Sequence, residues 1–580
     1  MKINIVVPAW NEESRILKCL ESIKQQDFKD FEVIIVNDGS SDNTQSIIDN
    51  FISKDSRFIS ITKEHSGIGD TLNAGFELCT AEYLTWVSAD SWVNSNFLSE
   101  LKLALDQNQD KVLAYSDWTL FNEVNNSYSK IITKEYDKKD LQIKCEIGPC
   151  WLFRKTAKDK VGPYCLEICE DYYMHLLLSG IGDFIRVPKD LGYWRNHKDN
   201  TTNRLNIPTY GACSSVVKAK ARWKQTKYKV AYICPTFDAA TVGWLHTNII
   251  NDLSDKFSAR HILGTTTHLT TGVDLLLDSP ETLKVIKECD VVHLNNNYPD
   301  FSPEIFLALR NKPLIIHLHA TYQQWNLKKL YWWKNQGIDI YTCVPGHEHA
   351  TWVPNAIPLT NGLDVSYEHL YNPITRDNPK LKFACHHNYL EGKGILQLKN
   401  QIIPALDLEF FDGKLNDFMD YSIGESKISP IEYLRYKKAI DICFDNITHG
   451  YCGMVTWESM CQAATVICRM DEVTQKTYKD FFGSIPPIIN VRLVDDIANH
   501  LYTLITTPNL TKELGDKNRK WMLENYNAKK ILDCYETIYM KAINGRIQQR
   551  QNFVPFGKNF YSQGWTSTKS STCSSNHIRL

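Results

Sequence analysis

From Tyr83 to Val87 the chain is apolar and strand-forming, and it stops abruptly on Ser88, Ala89, Asp90 and Ser91. No other stretch constrains the fold as much. A run of this kind belongs to a sheet covered on both faces, and a carboxylate left at its C-terminal end needs a partner. In open α/β sheets that end is where ligands bind. Oxygen ligands there suit a hard divalent cation, Mg²⁺ or Mn²⁺, whose shell phosphate oxygens can complete.

The preceding stretches repeat the arrangement. Lys2–Val7 reads as a parallel core strand, broken by Pro8-Ala9-Trp10-Asn11-Glu12-Glu13, and Ser14–Gln26 has helical spacing. Phe31–Val36 is a second buried strand ending in Asn37-Asp38-Gly39-Ser40-Ser41-Asp42, with Asp42 placed to cap the next helix. A third strand near Phe58–Ile61 leads through His65-Ser66-Gly67-Ile68-Gly69 to a helix holding Leu72, Asn73 and Phe76. Strand–helix alternation at this period predicts a doubly wound α/β sheet whose loops gather polar residues at one edge. Trp10 offers a flat face for a base, Asp38 an acceptor for a base N–H, and Asp90 a metal ligand. Downstream, Glu170-Asp171 opens an apolar helix and Gly192-Tyr193-Trp194-Arg195-Asn196-His197 follows it. Singly, each of these is also an ordinary turn, cap or packing residue; their order along the chain argues for a site.

The bulk properties narrow the rest. A chain of 580 residues exceeds one hydrophobic core and predicts two or three domains. A net charge of −2 gives no global attraction to nucleic acid, so such a partner needs a local basic patch. The opening MKINIVVPAWNEE meets acidic residues too early for a signal peptide, and no apolar segment is long enough to span a bilayer. The 17 cysteines lack a dense framework, which predicts free buried thiols in a reducing, cytoplasmic setting. Cys145, Cys150, Cys165 and Cys169 are the alternative, a zinc site, but at irregular spacing.

The motifs PAWNEE, VNDGSSDNT, HSGIGDTLNAG, SADS, GPCWLFR, VGPY, CEDYY and GYWRNH occur in that order over about the first 200 residues. Together they resemble the family 2 inverting glycosyltransferases of the GT-A fold. The resemblance implies that Pro8, Trp10, Glu12, Asp38, Asn73 and Asp90 bind the donor, with Trp10 stacking on uracil. It implies that Asp90 and His197 hold Mn²⁺ or Mg²⁺ on the donor diphosphate. Asp171 becomes the general base, supported by Glu170; neighbours on a helix do not share a face. Two positions depart from the family: Ser88 stands where an acidic residue is usual, and His175-Leu176-Leu177-Leu178 replaces a helix that usually carries an arginine.

A basic alternating run from Lys218 to Lys229 follows, read as a solvated linker helix or as a contact for a polyanion. From Tyr228 a second α/β series begins, with strands at Val230–Cys234, Asp290–Leu294, Pro313–His319, Asp339–Val344, Lys382–Cys385 and Asp441–Phe444. This half resembles a family 4-like GT-B glycosyltransferase, a pair of Rossmann-like subdomains. The resemblance implies donor contacts from Lys393 and Glu458, while Gly450 stands where the family's other glutamate belongs. Trp325–Lys334 is an aromatic-basic helix suited to core packing, or to peripheral membrane or glycan docking.

The expected architecture is α/β throughout: a GT-A domain over 1–223, GT-B-like subdomains over 224–376 and 377–545, and a polar tail over 546–580. The expected activity is metal-dependent, inverting transfer from a UDP-sugar to a hydroxyl of a polysaccharide or surface glycan. The second module would be another transferase or an acceptor-binding platform. Two rivals stand beside it: a transferase acting on hydroxylated bases of viral DNA, supported by the Lys218–Lys229 run, and an inactive glycan-binding protein.

Overall fold

A computed structural model describes residues 2–165, 169–200, 207–235, 242–264, 274–295, 301–310, 312–317, 340–344, 357–358, 380–386, 394–424, 438–445, 450, 452–492, 495–526 and 528–545. Its strands form three sheets. The first comprises β1 (Ile3–Ala9), β2 (Phe31–Asn37), β3 (Phe58–Thr62), β4 (Tyr83–Trp86), β5 (Trp92–Val93), β6 (Leu113–Asn122), β7 (Ser127–Ile131), β8 (Trp151–Arg154) and β9 (Phe184–Asn196). Their order is β3-β2-β1-β4-β8-β6-β9-β5, with β7 hairpinned onto β6. The β3-β2-β1-β4 half is parallel, whereas β8 runs antiparallel to both its neighbours.

Among the described residues the helices that flank this sheet include α1 (Ile16–Lys24), α2 (Thr44–Ile52), α3 (Ile68–Glu77), α4 (Phe97–Gln107), α5 (Lys138–Ile143), α6 (Lys155–Val161) and α7 (Glu170–Ser179). Strand alternation explains the two-sided cover. Ile3, Ile5 and Val7 join Leu20, Ile48, Phe97 and Leu101 in one core, while Val6 joins Leu72, Phe76 and Leu177 in the other. Each such side chain buried contributes about 1.5–3 kcal/mol, so both faces of β1 are anchored and its C-terminal end is fixed in place.

The second sheet holds seven parallel strands between Tyr228 and Pro358, and the third holds five parallel strands between Leu381 and Asn490. The last described helix, Ala528–Ile543, follows the third sheet in sequence but packs on the second. Its Tyr539 hydroxyl lies 2.8 Å from His293 Nδ1, its ring is 5.5 Å from that of Phe257, and Glu536 accepts from Ser254 Oγ at 2.5 Å.

The Lys218–Lys229 run is only in part the solvated stripe its charge pattern suggests, with Lys224 and Lys227 exposed. It straddles the end of helix Ile207–Gln225, where Lys218 is buried against Asp252 and Arg222 is buried donating to the Ser254 carbonyl. Lys227 and Lys229 lie over the rings of Tyr228 and Trp223. An amphipathic cation can pack its stem inside when a carboxylate or carbonyl meets its head. The described cysteines are free thiols, most of them buried, and among the described residues no cysteine group with metal-site geometry forms. Lys393, Trp325–Lys334 and the tail from 546 lie outside the described residues. No described helix is long and apolar enough to cross a membrane.

Candidate active site

The loop after β1 is laced to the loop after β2. Asn11 takes a left-handed backbone (φ 56°), its N–H donates to Ser40 Oγ at 2.9 Å, and its Oδ1 accepts from Ser41 N at 2.8 Å. Asparagine tolerates that conformation better than most residues. Glu12 N–H then donates to Thr44 Oγ1 at the start of α2 at 2.8 Å. Asp42, expected as the cap of α2, accepts from Thr44 N at 3.0 Å, although the N-cap position itself falls to Asn43.

Held this way, Glu12 meets Asp90 from beyond β4 and His197 from beyond β9. One ligand atom of each lies within 4.8 Å of the other two. His197 Nε2 is 3.1 Å from Asp90 Oδ2, Asn200 Nδ2 donates to the same oxygen at 3.1 Å, and Ser91 Oγ donates to Oδ1 at 2.8 Å. Burial pushes the Asp90 carboxyl up, but hydrogen bonds from His197, Ser88 and Ser91, with the His197 charge, outweigh it and hold Asp90 below the usual range. Burial, and next the Asp90 charge, lift Glu12 to about 7. Two crowded carboxylates, one of them reluctant to ionise, form a donor set with a deficit of positive charge. Carboxylate oxygens and an imidazole fit Mn²⁺ or Mg²⁺. Glu12, expected only to line the nucleotide pocket, thus supplies the second carboxylate that Ser88 does not.

An ion-pair chain supports the cluster. Arg15 Nη1 reaches Glu12 at 3.3 Å and its Nη2 reaches Glu123 at 3.2 Å. Glu123 also accepts from Arg195 Nη1 at 2.7 Å, and Arg195 Nε donates to the Asp90 carbonyl at 2.8 Å. Arg195 stands two residues before His197, the strand spacing that shares a face, so its role was readable. Glu123, beyond the end of β6, carries no local signal.

Asp171 reaches the same sheet edge by another route. It lies in the first turn of α7, and Trp86, the last residue of β4, donates Nε1–H to its Oδ1 at 3.0 Å. Cys169, just before the pair, is left-handed (φ 74°), a costly conformation for a residue with a side chain. Burial, then the neighbouring Glu170 charge, raise Asp171 well above the ordinary carboxylate range, and burial lifts Glu170 to about 7. His175, in the helix where the resemblance leads one to expect an arginine, is buried and pressed edge-on to Trp151; burial depresses it to about 3, so it is a neutral core residue.

The remaining expected donor residues are placed differently. Pro8 is buried within β1, beyond the last pair with β4, so its missing N–H interrupts little of the ladder. Asp38 is buried and accepts from Lys63 Nζ, Ser66 N and Gly67 N at 3.0 Å each. Trp10 is 38 % exposed and stacks on His65, centroids 4.4 Å apart. Asn73 spends its amide on the Tyr164 backbone, donating at 3.1 Å and accepting at 2.8 Å, and so pins α3 to the segment before α7.

In the second half, Glu458 is buried in helix Met454–Cys461. Asp445 accepts from Gly453 N at 2.8 Å and Thr456 Oγ1 at 2.7 Å at the start of that helix. Gly450 has a local reason to be glycine: its φ is 72°, and a Cβ there would meet Asp471 Oδ2 at 2.7 Å.

A parallel half-sheet whose carboxyl edge collects carboxylates and an imidazole is a Rossmann-like domain of the GT-A type. Residues 4–162 match the family described as Glycosyl transferase family 2, so the chain carries a domain of that family at its N-terminus. It is 32 % identical over 139 residues to glycosyltransferase GlyA of Streptococcus pneumoniae, covering 24 % of this chain and 20 % of that one. It is 25 % identical over 261 residues to chondroitin synthase of Escherichia coli, covering 43 % and 37 % respectively. The chain spans between a fifth and about half the length of such curated relatives. Among solved structures, Staphylococcus aureus TarS residues 1–349 with UDP-GlcNAc is similar at 18 % identity and TM-score 0.33, covering 38 % of this chain and 65 % of that one.

Proposed function

We propose that the N-terminal domain transfers a sugar, with inversion, from a UDP-sugar to a hydroxyl of a glycan acceptor. The observation that carries this reading is the meeting of Glu12 and Asp90, both within the stretch that matches family 2, with His197 at the carboxyl edge of the same sheet. These three residues would hold Mn²⁺ or Mg²⁺. When bound, that ion supplies positive charge against the leaving diphosphate. Asp90 and Glu12 would supply the carboxylate ligands and His197 the imidazole, and a bound cation would favour the ionised form of Glu12 against the burial and Asp90 repulsion that raise it.

Asp171 acts as general base. Trp86 occupies its Oδ1 and sets the carboxylate's orientation, so Oδ2 is the oxygen for the proton. The acceptor oxygen bonds to the anomeric carbon as that carbon's bond to the diphosphate oxygen breaks. The hydroxyl proton passes to Asp171, and UDP departs with the bonding electrons. A raised pKa makes Asp171 a stronger base than an exposed aspartate once it is ionised. Trp10 and Asp38 serve the base, and Pro8 and Asn73 shape the walls.

A glycan acceptor is in keeping with relatives named as a chondroitin synthase and as glycosyltransferases. The viral-DNA alternative loses its motivation because the Lys218–Lys229 run is largely spent in packing. We assign residues 224–376 and 377–545 to a GT-B-like pair, on the support of two all-parallel sheets, with Glu458 and Lys393 as its donor contacts. The test is release of UDP from a panel of UDP-sugars by the full chain with Mn²⁺. Turnover abolished by EDTA and restored by Mn²⁺ is expected; metal-independent turnover, or none with any donor, sinks the reading.

A further inference from the structure

The slot assigned to the nucleotide base already has an occupant, and it belongs to the protein. His65 lies flat on Trp10, with ring centroids 4.4 Å apart and planes inclined by only 19°. Its Nδ1 is 2.9 Å from Asp38 Oδ2 and 3.3 Å from the Asp38 carbonyl. A planar heterocycle stacked on Trp10 with an N–H aimed at the Asp38 carboxylate is the pose a uracil ring, with its single N3–H, would take.

The Asp38 carboxylate also has little capacity left. Two oxygens offer about four acceptor positions. Oδ1 takes Lys63 Nζ and the Ser66 N–H, each at 3.0 Å, and Oδ2 takes the Gly67 N–H at 3.0 Å together with His65. The backbone donors are fixed by the loop, whose approach to β2 depends on Gly39: its φ is 68°, and a Cβ there would meet His65 N at 3.0 Å. Lys63 is held a second time by Asp70 at 2.9 Å. The His65 side chain is the movable donor, because it is 51 % exposed and rotates without disturbing the backbone.

We infer that His65 is a built-in competitor for the base, a side chain that any donor nucleotide must displace from Trp10 and Asp38. A base that stacks on Trp10 and gives Asp38 an N–H replaces both contacts it breaks. A base presenting an acceptor at that point, such as cytosine at N3, breaks both and restores one. The side chain therefore lowers the affinity for either base by the same displaced contacts, and the Asp38 acceptor alone sets the preference between them.

This inference rests on the reading of Trp10 and Asp38 as the base site, and the experiment separates the two. UDP binding in the presence of Mn²⁺ is measured calorimetrically for the full chain, for His65→Ala and for Trp10→Ala. His65→Ala is expected to tighten UDP about three- to tenfold, equivalent to roughly 0.7–1.4 kcal/mol at 1.4 kcal/mol per decade, and to tighten CDP by a similar factor. Trp10→Ala is expected to weaken UDP. If His65→Ala leaves UDP affinity unchanged or weaker while Trp10→Ala weakens it, His65 is a wall of the pocket and the inference is overturned. If Trp10→Ala leaves UDP affinity unchanged, the base site itself has been misassigned.

Discussion

Histidine plays opposite parts at the edge of the first sheet and in the core of the second. His197 sits against two carboxylates at a strand end, with the Arg15 guanidinium paired to one of them. His246, His293 and His317 are buried between the second sheet and its helices among aromatic rings: the Tyr232 hydroxyl is 2.8 Å from His246 Nδ1, and His293 stacks on Tyr232 at 4.3 Å. Burial, and then their mutual repulsion, depress His246 and His293 well below the usual imidazole range. The contrast shows that residue type does not make a site. A ligand site needs opposing charges brought in by separate elements, whereas a polar core needs only neutral partners.

The largest effect that tests this contrast is at the base. Asp171→Asn should lower turnover by about 10²–10⁴-fold, the usual worth of general-base catalysis, while calorimetry finds UDP affinity nearly unchanged. Retained turnover removes the assignment. Next, Asp90→Ala should weaken Mn²⁺-dependent UDP binding by about 100-fold, at the upper end of what even outer-shell losses cost, with metal-free binding unaltered. Equal loss with and without Mn²⁺ would break the cluster reading.

Acid should strike the other side of the comparison. A histidine with a depressed folded pKa binds fewer protons folded than unfolded, so its stabilisation is full above about 6.5 and is lost as pH falls below it. Between pH 6.5 and 5 the loss is of order 2 kcal/mol per histidine, and exchange protection of the Ala528–Ile543 helix should report it. Constant protection over that range would show that these rings take up protons in the fold as readily as in the unfolded chain, and so are not depressed.

A smaller displacement is expected from Glu170→Gln. Removing that charge lowers the Asp171 pKa, so the rising limb of the pH–rate profile should move to lower pH; an unmoved limb separates the two groups. Smallest of all, Glu458→Ala should leave first-domain transfer intact, and a parallel loss would tie the two halves together.

The parallel strands of the first domain were legible because apolar, β-branched runs end in polar turns. Asp90, His197 and Glu170-Asp171 were legible as ligand or acid-base types. What stayed hidden shares one physical cause. Leu113–Asn122 carries Asp117 in mid-strand, satisfied by Arg186 at 2.8 Å, and Phe257–Leu263 carries Arg260, satisfied by Asp274 at 2.6 Å. Polar groups buried against distant partners interrupt the pattern that marks a strand. Glu123 was silent for the same reason, since its meaning lies in two arginines that the fold brings to it.

The return of Ala528–Ile543 to the second sheet has a consequence for how the molecule is made. The surface carrying His293 and Phe257 leaves the ribosome early, but Tyr539 and Glu536 emerge only after the entire third sheet has been synthesised. Until then that face of the second sheet is unsealed, and what closes it is made only after a sheet it does not belong to.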